Sequence, residues 1–127
     1  MENKESVLIV DDDPANLMAL FHILRSNYNI LTAADGISAL EKINKFKPDL
    51  ILLDIIMPEM NGFEVLTELK KSDKTKSIPV IFITGLSDNE SEGLALGAVD
   101  YIRKPFNTED VKQKISQQFK ILNSQVQ

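Results

Sequence analysis

The chain has 127 residues, enough for one domain of ordinary size with one buried core. The absence of cysteine excludes disulfides and thiolate metal sites, and a net charge of −5 argues against the basic face of a nucleic-acid binder. No apolar run approaches the roughly 18 residues of a membrane span, and Met1 to Glu5 carries two acids rather than a secretory signal. The chain is therefore expected to be soluble and cytoplasmic, with neither a membrane nor a nucleic-acid partner of its own.

An apolar run, Val7 to Val10, opens the pattern. Runs at Leu50 to Leu53 and Val80 to Ile83 resemble it, each short and apolar at successive positions, as in strands covered on both faces of a parallel sheet. Weaker strands are expected at Asn29 to Thr32 and Asp100 to Arg103. Helical spacing lies between them. Asp13-Pro14 predicts an N-cap followed by proline at the first helical position. Leu17, Leu20, Phe21 and Leu24 then share one face, with His22, the only histidine, beside that stripe and expected to be solvated or half-packed. Ile37, Leu40 and Ile43 predict the inward face of a second helix, and Val65, Leu66 and Leu69 that of a third. A weaker fourth is expected from about Asp88 to Leu96, ended by Gly97. Val111, Ile115, Phe119 and Leu122 mark a fifth, and Val126 continues the spacing. Met57 and Met60 read as packing residues, and Gly62 as a turn residue before the third helix. Five strands alternating with five helices predict an α/β fold, a doubly wound parallel sheet with helices on both faces.

In such sheets sites form beyond the carboxyl ends of the strands. Asp11, Asp12 and Asp13 follow the first strand, Asp54 the third, Thr84 the fourth, and Lys104-Pro105 the fifth. Converging carboxylates repel one another and need a cation. Oxygen ligands with no nearby His or Cys suit Mg²⁺ or Ca²⁺, and no twelve-residue calcium loop is present. A lysine and a hydroxyl on the same rim complete a phosphate site, where a carboxylate acts as a nucleophile and forms an acyl phosphate.

The strings VLIVDDDP, LILLDIIMPEMNGFEVL, VIFITG and GAVDYIRKPF resemble the motifs of bacterial response-regulator receivers, in order, from about residue 6 to residue 120. The resemblance implies a single receiver domain over residues 1–127, with a core of about 5–122, a tail that is a candidate linker stub, and the flavodoxin-like strand order 2-1-3-4-5. It implies Asp54 as phosphoacceptor, Asp12 as a direct Mg²⁺ ligand with Asp11 holding metal-bound water, and the Ile56 backbone carbonyl as a further ligand. Thr84 would follow the phosphoryl group, Lys104 would bind it, and Tyr101 would turn inward as Thr84 moves. The Lys104-Pro105 bond would be cis.

The implied partners are a sensor histidine kinase or phosphotransfer protein as donor, and a downstream effector or fused output domain. The responding face is that of the fourth helix, fifth strand and fifth helix, with a possible homodimer through it. The implied protein is a signalling switch rather than a turnover enzyme. Ile56 and Leu86, two residues after Asp54 and Thr84, flank the path of attacking water in the family; both are apolar, so slow self-dephosphorylation is expected. The rival readings are an aspartyl-phosphate phosphatase of the haloacid dehalogenase type, with Asp11 as nucleophile, a flavin-binding flavodoxin, and a non-phosphorylated pseudo-receiver.

Overall fold

A computed structural model describes residues 4–85 and 90–125. The elements run β1 (Ser6–Val10), α1 (Pro14–Leu24), β2 (Asn29–Ala33), α2 (Gly36–Phe46), β3 (Leu50–Asp54), α3 (Gly62–Lys70), β4 (Val80–Thr84), α4 (Glu90–Ala95), β5 (Asp100–Arg103) and α5 (Thr108–Gln125). Leu86, Asp88 and Val126 lie outside the described residues. The strands form one parallel sheet in the order β2-β1-β3-β4-β5, as the resemblance implied.

Strand alternation sorts the core into two layers. On one face Leu8, Val10, Ile51, Leu53, Val80 and Phe82 pack under α2 and α3. On the other, Val7, Ile9, Leu50, Leu52, Ile81, Ile83 and Ile102 pack under α1 and α5. β3 and β4 are buried at every position, which is why both read as continuous apolar runs.

The caps match the sequence where it carried a signal. The Asp13 side chain accepts from the Ala15 amide at 2.9 Å, with Pro14 opening α1. Gly97 ends the α4 region with φ +115°, a conformation that disfavours side chains. His22 is exposed and touches Phe21 edge-on.

Two expectations need correcting. Ile43 is buried and Leu40 packs against the core as expected, but Ile37 is 55% exposed, and Gly36 and Ala39 complete the inward face of α2. Small residues carry part of that face because the loop after β3 presses on it: a Cβ at Gly36 would lie 2.9 Å from Met60 Cβ. Gly62 is not a turn residue but the first residue of α3, capped by Asn61. Asn61 and Glu64 form a reciprocal capping box, with bonds of 2.9 Å and 3.0 Å.

Candidate functional site

Parallel register delivers the polar residues to one end of the sheet. Val10 pairs with Leu53, so Asp11 emerges beside Asp54 at the ends of neighbouring strands. Asp54 pairs with Ile83, one residue before Thr84, and Thr84 pairs with Arg103, one residue before Lys104. Asp54 and Thr84 are the last residues of their strands, not the first beyond them. Strand geometry thus fixes both backbones.

Asp11 and Asp54 are buried, at 0% and 4% exposure, whereas Asp12 is exposed. One carboxylate oxygen from each lies within 4.8 Å of the others. Asp11 Oδ1 accepts from the Asp13 amide at 2.9 Å. Among the described residues its Oδ2 is buried and has no hydrogen-bond partner, and Lys104 Nζ stands 3.6 Å away, at ion-pair range only. Lys104 Nζ also lies 3.4 Å from Asp54 Oδ1, so one ammonium group faces both buried acids. Its backbone is tied down by the Lys104 amide donating to the Thr84 carbonyl at 2.9 Å, and the Lys104–Pro105 bond is cis. Thr84 is buried, and Tyr101 is half-buried on the α2–α3 side of the sheet.

Burial pushes the Asp54 carboxyl up to about 6, reinforced by the charges of Asp11 and Asp12 and opposed by Lys104. Three carboxylates facing one lysine leave the site short of positive charge. An orphaned buried carboxylate oxygen and an all-oxygen donor set fit a hard divalent ion such as Mg²⁺. Asp11, Asp12 and Asp54 are the residues that would hold it.

The segment after Asp54 is held as tightly as the strand itself. The Gly62 amide donates to the Ile55 carbonyl at 2.8 Å, and the Ile55 amide to the Ile83 carbonyl at 3.3 Å. A Cβ at Gly62 would fall 2.9 Å from Ile55 Cα and would overlap the Asp54 carbonyl oxygen. Gly62→Ala is therefore expected to destabilise the protein by about 2–3 kcal/mol, because backbone atoms rather than a flexible side chain must give way. Urea unfolding of the purified variant checks this, and an unchanged midpoint would refute the close approach. Ile56 leaves this loop with its side chain 63% exposed. Asp13, which the phosphatase reading needs as an acid beside an Asp11 nucleophile, is exposed and committed to capping α1.

Residues 7–116 match the response regulator receiver domain family. The chain belongs to that family. A probable cyclic di-GMP phosphodiesterase of Vibrio cholerae is 45% identical over 112 residues, covering 87% of this chain and 25% of that protein. The chain thus spans about a quarter of that relative's length. A V. cholerae chemotaxis protein of known structure is 33% identical with a TM-score of 0.85, covering 91% of this chain and 98% of that one. The receiver domain of a Pseudomonas aeruginosa sensor histidine kinase is 27% identical with a TM-score of 0.83, covering 91% and 97%. That structure holds a magnesium ion coordinated in the active-site cleft. The receiver domain is thus a two-component signalling module, and no helix among its described residues is long and apolar enough to cross a membrane.

Sequence reasoning singled out Asp11, Asp12, Asp13, Asp54, Thr84 and Lys104 at this end of the sheet but missed two features. The Asn61–Glu64 box carried a readable signal, an Asn with Glu three residues on. The pairing of Glu90 with Arg103 carried none, being a long-range contact between a helix start and a strand end.

Proposed function

We propose that Asp54 accepts a phosphoryl group with the help of Mg²⁺, and that this charge change is the signal the domain transmits. The observation that carries the reading is Asp54 itself: a buried carboxylate flanked by Asp11 and Asp12, with Lys104 Nζ at 3.4 Å. In the transfer, an Asp54 carboxylate oxygen attacks phosphorus. The new O–P bond replaces the P–N bond of a donor phosphohistidine, and the imidazole nitrogen leaves with the electron pair. Asp12, Asp54 and the Ile56 carbonyl would coordinate the ion directly, with Asp11 acting through its water. Bound there, Mg²⁺ supplies positive charge against the transferring phosphoryl oxygens. Lys104 supplies a second cation to the same oxygens, and the Thr84 hydroxyl follows them once they are in place.

A phosphoryl group adds up to about two negative charges and strong acceptors. Thr84 and Lys104 are drawn toward it, Tyr101 moves into the space released, and the α4-β5-α5 face repacks. A sensor kinase or phosphotransfer protein supplies the phosphoryl group, and an effector or attached output domain reads the face, in the cytoplasm. The same face is the one through which a homodimer would form. The protein turns over slowly and acts as a switch.

Incubation with Mg²⁺ and acetyl phosphate, followed by mass spectrometry, tests the assignment. A hydroxylamine-labile phosphoryl group on Asp54 is expected, absent from Asp54→Asn and from samples in EDTA. A folded, magnesium-binding protein that stays unmodified would instead be a pseudo-receiver, and a label on Asp11 would restore the phosphatase.

The phosphoryl lifetime is also set locally. Ile56 projects from the loop without packing into the core, so its side chain offers attacking water no hydrogen-bond partner. Ile56→Asn is expected to shorten the lifetime several-fold with little change in stability, since an amide can orient that water. Decay of the labelled protein after donor removal measures it; an equal or longer lifetime would refute the role.

A further inference from the structure

Two cations stand close to the Tyr101 ring. The Arg103 guanidinium carbon is 5.7 Å from the ring centroid and Lys114 Nζ is 4.9 Å from it. Neither cation is free to follow the ring. Arg103 is gripped by both oxygens of Glu90, the first residue of α4, with Nε–Oε2 at 2.6 Å and Nη2–Oε1 at 3.0 Å. Such a two-point carboxylate–guanidinium pair fixes orientation as well as distance. Lys114, on α5, donates to the Tyr101 carbonyl at 2.6 Å and sits 3.9 Å from Asp100 and 3.8 Å from Asp110. The enclosure around one half-buried tyrosine thus draws on α4, β5 and α5 together.

Its position in the sheet couples it to the phosphoryl site. Tyr101 and Arg103 are two residues apart on β5 and so share a face. Arg103 pairs with Thr84 across the ladder, and Lys104 follows it directly. Any displacement of the β4 and β5 ends toward Asp54 carries the Arg103 backbone with it, while Glu90 anchors the guanidinium to α4.

We infer that the Glu90–Arg103 pair is a brake, holding Tyr101 and α4 in the unphosphorylated arrangement so that occupancy of Asp54 must break this clamp before the face can switch. The inference rests on the proposed role of Asp54 and on Tyr101 as the moving aromatic. The Glu90 carboxyl is held below its ordinary range, chiefly by the hydrogen bond from Arg103, with smaller help from the Tyr101 hydroxyl. Arg103 is raised by the same bond. A ligand that binds only the switched arrangement pays for breaking the clamp, so removing the clamp tightens that ligand and leaves unchanged any ligand indifferent to the switch.

The test uses Mg²⁺ alone and Mg²⁺ with beryllofluoride, an acyl-phosphate mimic. Binding is followed by NMR of tyrosine-labelled protein, because the chain has only Tyr28 and Tyr101 and the first serves as reference. Glu90→Gln, Arg103→Gln and the double variant are compared with the unsubstituted protein. Glu68→Gln is the control, since it breaks an exposed pair with Lys71 on α3 (2.9 Å) that has no part in the enclosure. Each clamp variant is expected to bind beryllofluoride about two- to fivefold more tightly, the range expected for one ion pair at the protein surface. The double variant should gain nothing further, Mg²⁺ affinity should not change, and only the Tyr101 signal should shift. Unaltered or weaker beryllofluoride binding in both single variants, with normal binding by the unsubstituted protein, would overturn the brake alone. Failure of the unsubstituted protein to bind beryllofluoride while still binding Mg²⁺ would overturn the Asp54 assignment and the brake with it.

Discussion

Asp54→Asn is expected to stabilise the metal-free protein at pH 7.5 by about 1–3 kcal/mol while abolishing phosphorylation. The folded-state carboxyl stands at about 6 against an ordinary 3.8, so the folded protein resists ionising a group that the unfolded chain ionises freely. The favourable contribution of that carboxyl is complete below about pH 4 and is lost as pH rises through 6. At pH 7.5 the loss is full, and the upper end of the range is the shift converted at about 1.4 kcal/mol per unit. The lower end allows for water screening at the mouth of the site, beside exposed Asp12. Asparagine keeps the shape and discards the charge. In EDTA the variant should therefore unfold at higher urea than the unsubstituted protein at pH 7.5, and the gap should close toward pH 4.5. Adding Mg²⁺ should narrow it from the other side, because the ion binds the charged site more tightly. A variant less stable than its parent at pH 7.5 in EDTA would mean that Lys104 already compensates the Asp54 charge in full.

What the sequence could disclose follows from burial. Apolar runs at β1, β3 and β4 were legible because both faces of those strands are buried, leaving no polar alternation to confuse the period. The acids after β1, Asp54, Thr84 and Lys104 stood out for the opposite reason. They break apolar runs at the one place where a core sheet has no structural use for charge.

The inward face of α2 was misread at Ile37 because a hydropathy pattern ranks isoleucine above glycine and alanine. The β3–α3 loop and Met60 come so close that small residues must face it. The same applies to α4, where a Cβ at Gly93 would lie 2.6 Å from the Phe82 ring, so the glycine is the contact point of the helix. The Glu90–Arg103 clamp was invisible because it depends on how α4 lies against β5, which no local spacing encodes.

Lys104→Met should move two measurements in opposite directions. Methionine retains the aliphatic stem and loses the ammonium group that now faces Asp11 Oδ2 at 3.6 Å and Asp54 Oδ1 at 3.4 Å. Without that group no other described residue pairs a cation with the buried oxygens, so Mg²⁺ should bind more tightly than to the unsubstituted protein. Phosphoryl transfer should nevertheless fall by roughly 100-fold, the scale set by removing one preorganised group that meets charge developing on the transferring oxygens. Tighter metal with slower transfer separates a lysine that serves the phosphoryl group from one that merely neutralises resting acids. If Lys104 only balanced Asp11 and Asp54, a better-bound Mg²⁺ would replace it and transfer would persist. Titration with Mg²⁺ and the initial rate of labelling by acetyl phosphate at saturating Mg²⁺ give the two numbers, and a transfer rate within a few-fold of the parent would remove Lys104 from the chemistry. The geometry favours the first outcome: at 3.4 Å or more from both acids, the ammonium group lies too far for a tight ion pair with either and is placed to close on oxygens that arrive between them.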